Sequence, residues 1–131
     1  MLSGLRRAPL WCWWIAVVWL VSFPWLGRAQ TPQWHRVNWV PFEDPADKVT
    51  DVLANMALFI PFGYSLAGRG RQTSMVRLCI IAAIVSAAGE ALQLYSTDRF
   101  PSATDVTCAV LGAIAGRTLR FRHNLRPNPN P

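Results

Sequence analysis

The chain has 131 residues, of which 52% are hydrophobic and only 15% charged, and its formal net charge is +6. That balance is too apolar for an ordinary soluble domain. The cations fall in short clusters between long apolar runs instead of forming one stripe with interleaved aromatics, so no nucleic-acid partner is expected.

In chain order, residues 1–8 form a short N-terminal segment carrying Arg6 and Arg7, and the first apolar run follows at 9–27. Three more runs lie at 51–67, 75–94 and 103–119, each close to the ~20 residues that a helix needs to cross ~30 Å of hydrocarbon. The connections 28–50, 68–74 and 95–102 are rich in Arg, Gly, Pro and Asp, as water-exposed turns are. Residues 120–131 read as a basic, disordered tail ending in Pro and Asn. The fold class expected is all-α: a polytopic bundle of four transmembrane helices.

Lys and Arg are retained on the cytoplasmic side during insertion. With the N-terminus inside, nine cations fall inside (Arg6, Arg7, Arg69, Arg71, Arg77, Arg117, Arg120, Arg122, Arg126) and four outside (Arg28, Arg36, Lys48, Arg99). Both termini are therefore expected in the cytoplasm, with outer loops at 28–50 and 95–102. A cleaved signal ending near Gly27-Arg28-Ala29-Gln30 would leave three spans. Against it, the run exceeds the usual 7–15-residue signal core, and Arg28 stands where a small residue is wanted. Most of the seven tryptophans fit the interfacial belts, with Trp19 deeper.

In the second run Asp51, Asn55 and Phe59 recur at four-residue spacing and share a face. Pro61 lacks the amide that would bond the Ala57 carbonyl, so a kink is expected there, and Pro61 and Gly63 are assigned to helix shape, the alternative being that they open a small polar cavity. In the third run Ser86, Glu90 and Gln93 fall on one face. A charged acidic residue at mid-span costs about 2.5–3.5 kcal/mol, so Glu90 should have a partner. The bland alternative is a protonated or hydrogen-bonded Glu90 that only fixes helix packing. In the fourth run Thr104 or Asp105 could serve merely as a helix cap. Ala109, Gly112 and Gly116 continue the Asp105 face as a small-residue stripe, suited to a close neighbouring helix or to a homo-oligomer contact. Cys12, Cys79 and Cys108 are widely spaced inside apolar runs, and His35 and His123 fall on opposite sides of the membrane, so neither a metal nor a cofactor is expected.

Topology and spacing together place Asp51, Asn55, Glu90, Gln93, Arg99 and Asp105 near the outer leaflet as candidate ligand-binding residues. These positions resemble the VanZ-like family of small bacterial membrane proteins over about residues 47–117. The resemblance rests on Asp47-Lys48, on Asn55, Phe59, Pro61 and Gly63, on Glu90 and Gln93, and on Arg99, Asp105 and Gly112. The family usually has Asn four residues after the Asp, where this chain has Ala109; Thr107 or water could stand in for that amide.

The family's namesake is linked to teicoplanin resistance, so the resemblance implies a multi-pass protein of the bacterial cell (inner) membrane. The binding reading is recognition of an outer-leaflet lipid, a cell-wall precursor or an amphiphilic lipoglycopeptide, with Arg99 as the natural partner of phosphate or carboxylate. A second reading is a membrane-embedded enzyme with Glu90 or Asp105 as general base. A third is a structural or accessory subunit whose basic tail meets anionic lipid. The chain has no nucleophile motif and no phosphate-binding loop, so whether it is an enzyme stays open, with binding preferred.

Overall fold

The computed structural model describes residues 10–23, 27–43, 49–67 and 73–125. The N-terminal segment 1–8, the pair Asp47-Lys48, most of the 68–74 connection and the end of the tail from 126 lie outside the described residues. Among the described residues there are four α-helices: α1 Leu10–Ser22, α2 Val49–Leu66, α3 Met75–Gln93 and α4 Ala103–Leu125. A 3-10 turn at Trp34–Arg36 interrupts the first connection.

Two boundaries differ from the sequence reading. The first helix stops at Ser22, short of residue 27. Pro24 follows two residues later and cannot supply the amide that a continuing helix requires. The fourth helix runs past residue 119 to Leu125, so residues 120–125, expected in a disordered tail, are helical. No proline intervenes before Pro127, and Arg122 and His123 in the last turn suit the negative end of the helix dipole. The Arg120 guanidinium also lies 5.0 Å from the centre of the Tyr64 ring, and the His123 ring packs edge-on against the same tyrosine.

α2 and α4 run parallel and touch backbone to backbone. A Cβ on Gly112 would overlap the Met56 carbonyl oxygen, one on Gly116 the Ile60 carbonyl, and one on Gly63 the Ala113 carbonyl. Glycine is required at these three positions because no side chain fits between the two helices, and the close approach brings the two backbones into direct van der Waals packing. α2 runs unbroken through Pro61. The glycine face of α4 is thus filled by α2 of the same chain.

α3 packs antiparallel to α4, and α1 follows the direction of α3, with Ser22 against Gly89. Phe59, Phe62, Leu78, Ala82, Val85, Ala109 and Ala113 form the core where the helices meet. Phe59 and Phe62 pack edge to face at 5.8 Å. Outside this core the helices present apolar surface: only 17% of α2 and 28% of α3 is buried. Both helices are long and apolar enough to cross a membrane. A soluble core helix would hide most of that surface, so its exposure points to a membrane protein.

The two ends of the bundle differ chemically. At one end the 27–43 connection lies across the α3–α4 loop, tied by Ala29 N to Tyr95 O (2.7 Å), Gln33 N to Leu94 O (3.0 Å) and Asn38 N to Pro101 O (2.9 Å). Arg36 fastens this layer. It donates to Gln33 and to the carbonyls of Ser96 and Thr97, and it stacks 3.9 Å from the centre of the Phe100 ring. At the other end Arg117 donates to the Thr73 carbonyl at 2.8 Å.

Candidate functional site

The α3–α4 loop turns back into a helix at Ser102. Its hydroxyl accepts the Thr104 amide at 3.1 Å, so Ser102 is the N-cap of α4. In a capping box the residue three positions on, here Asp105, would reach back to the cap's own amide. In this chain that amide goes to Glu90 of α3 instead: Ser102 N donates to Glu90 Oε2 at 2.8 Å. Asp105 is released to accept from Asn55 Nδ2 of α2. Three helices are therefore joined through two carboxyl groups. Neither Thr104 nor Asp105 is the cap, because Ser102 fills that role. The Thr104 hydroxyl instead accepts the Phe42 amide at 3.0 Å, where Phe42 turns with φ 62°.

Gln93 Nε2 donates to the other oxygen of Glu90 at 3.3 Å, so both oxygens of that carboxyl are engaged. Such bonds contribute about 1 kcal/mol each to a neutral carboxyl and about 1.5–3 kcal/mol to a charged one. Two of them offset much or all of the about 2.5–3.5 kcal/mol that an acidic residue costs at mid-span. Asp105 and Arg99 are both within electrostatic reach of Glu90.

These groups surround a cavity of about 490 Å³. Asp51, Asn55, Glu90, Gln93, Arg99 and Asp105 all line it, with Phe59, Leu58 and Val18 as its apolar floor. Asp51 and Arg99 are exposed at the rim, Asn55, Glu90 and Asp105 are half-buried, and Gln93 is buried. Ser22 and Ser86 also line the cavity at 7% and 6% exposure. Neither of their hydroxyls has a hydrogen-bond partner among the described residues. The arrangement offers carboxyl acceptors, amide and hydroxyl donors and a guanidinium around one water-sized to headgroup-sized space, which suits recognition of a polar group.

Four lining residues outside the helices escaped the sequence reading: Asn38, Asp98, Phe100 and Ser102. All lie in connections, where no helical period marks a face. The remaining positions assigned to helix shape do not reach the cavity. Ala109 is fully buried in the core against α2, and Pro61, Gly63, Gly112 and Gly116 are not part of the cavity wall. Thr107, offered as a substitute for the amide at position 109, does not line the polar cavity: its hydroxyl donates to the Ala103 carbonyl at 2.9 Å and the residue lines a separate groove. Cys108 is buried, and Cys12 and Cys79 are half-buried. Among the described residues no three His, Cys, Asp or Glu side chains are grouped so as to hold a metal ion.

The VanZ/LLP1 family model matches residues 10–121, nearly the whole described chain. No curated protein and no solved structure matches it.

Proposed function

The chain belongs to the VanZ/LLP1 family, and from that premise we propose that it is a four-span membrane protein whose non-cytoplasmic end recognises the polar head of an outer-leaflet amphiphile. That amphiphile is a lipid, a cell-wall precursor or an amphiphilic antibiotic, and resistance to a teicoplanin-like drug would follow if the site takes the drug or its target. The supporting observation is the cavity lined by Asp51, Asn55, Glu90, Gln93, Arg99 and Asp105. It opens at the end of the bundle opposite Arg117, Arg120 and Arg122. The excess of cations at that opposite end supports a cytoplasmic location for both termini and insertion in the bacterial inner membrane.

The direct test is native mass spectrometry of the protein extracted with its lipids, comparing wild type with Arg99→Ala and Glu90→Ala at matched expression. A specific amphiphile retained by wild type and lost from both variants is the expected result. The same unselective lipids on all three would refute recognition and favour a purely structural polar cluster.

The nearness of Glu90 to Asp105 favours a second reading, an enzyme acting on the same class of substrate with one of the two as general base. It ranks lower because both oxygens of Glu90 already accept hydrogen bonds from the protein. Turnover of a lipid-linked substrate that vanishes in Glu90→Gln and Asp105→Asn would establish it.

A further inference from the structure

A second space lies directly behind the wall of the polar cavity. Asn38, Glu90 and Ser102 line both, so one face of this three-residue wall looks into the polar cavity and the other into a groove of about 460 Å³. Ala87 and Ala91 of α3 and Ala103 and Val106 of α4 form its bed, and Trp34 and Trp39 stand at its rim. The groove exists because alanine occupies the facing positions of both helices: larger side chains there would close it. Several of the polar groups that border it are engaged within the protein: the Thr107 hydroxyl donates to Ala103 O, and the Asn38 backbone is paired on both sides, with Pro101 O and Ala103 N.

We infer that the bound amphiphile is a zwitterionic lipid, with its phosphate and ammonium in the polar cavity and one hydrocarbon chain laid in the groove between α3 and α4. This rests on the head-group reading above and deepens it. A hydrocarbon chain is the occupant favoured by a groove lined mostly by Ala, Val, Leu, Pro and Trp side chains, whereas a peptide would bring backbone amides and carbonyls that find few partners there. The two spaces share a wall, so a molecule with a polar head and an apolar tail can fill both across a single junction at Asn38, Glu90 and Ser102. Trp34 and Trp39 are 58% and 69% exposed, as rings at the level of the headgroups are. The mouth of the cavity offers both signs of charge, Arg99 for a phosphate and Asp51 with Asp98 for an ammonium. Ser22 and Ser86 supply unused hydroxyls deeper in.

The probe is a lysophosphatidylethanolamine with a diazirine in mid-chain, used with the intact protein in phosphatidylglycerol nanodiscs, whose lipid lacks the ammonium. Its tail-less counterpart, glycerophosphoethanolamine, is followed by saturation-transfer NMR. Photolysis is expected to label Ala87, Ala91 and Val106. Ala91→Trp and, as a second variant, Ala87→Trp should lower that labelling about tenfold because the indole clashes with the chain, while glycerophosphoethanolamine binds both as it binds wild type. Labelling that spreads evenly over the lipid-facing surfaces, or is unchanged in both variants, overturns the groove. In that case head-group recognition stands if Arg99→Ala still abolishes glycerophosphoethanolamine binding. If wild type binds neither probe, the zwitterionic occupant is overturned whatever the labelling.

Discussion

Glu90 of α3 accepts the backbone amide of Ser102, the residue that caps α4, at 2.8 Å. One side chain thus fixes where the next helix begins, and it does so at the wall of the polar cavity. Stability and the proposed recognition are coupled at this point, because removing the carboxyl frees both the cap and the cavity wall.

Glu90→Ala should lower the stability of the purified protein by about 1–3 kcal/mol, the penalty for leaving a partly buried amide without an acceptor. Glu90→Gln retains a carbonyl oxygen for the Ser102 amide and should cost less than half as much. Thermal unfolding in a fixed detergent measures both, and equal loss in the two variants would show that charge, not the acceptor, matters.

Asn55 and Asp105 join α2 to α4 by a side-chain hydrogen bond. In a double-mutant cycle with Asn55→Ala and Asp105→Ala, a coupling energy of about 0.5–1.5 kcal/mol is expected, within the range for polar pairs between membrane helices. Additive losses would place the two residues out of contact in the folded protein.

Gly112→Ala should be more harmful than its single added methyl suggests, since that methyl meets the Met56 carbonyl, a backbone atom that cannot turn aside. A loss of about 1–3 kcal/mol is expected. Leu111→Ala, at an exposed position one residue away, should cost far less. The contrast is read from unfolding midpoints of the two variants side by side.

The proposed orientation is checked by labelling single cysteines in a background lacking Cys12, Cys79 and Cys108. Asp98→Cys, in the exposed α3–α4 loop, should react with an impermeant maleimide added outside intact cells. Asn124→Cys, near the end of α4, should react only after lysis. The reverse pattern would invert the topology.

The sequence by itself determined the four helices to within a few residues at most of their ends, and it marked the faces that matter. Asp51, Asn55 and Phe59, then Glu90 and Gln93, then Asp105 with its small-residue stripe, are visible because helical periodicity is local: residues three and four apart must share a face wherever the helix ends up. Tertiary structure alone decided the partners. Nothing in the sequence distinguishes the amide of Ser102 from any other, yet that amide is what Glu90 holds. Arg36 and Asn38 lie in a connection without a period, and their roles arise only when that connection folds across the α3–α4 loop. The helical extension to Leu125 likewise depends in part on Tyr64, over fifty residues away, receiving Arg120 and His123. The stripe on α4 could have met a second copy or a neighbour, and Gly63 of α2, facing Ala113, decides for the neighbour because the two backbones fit only at that spacing.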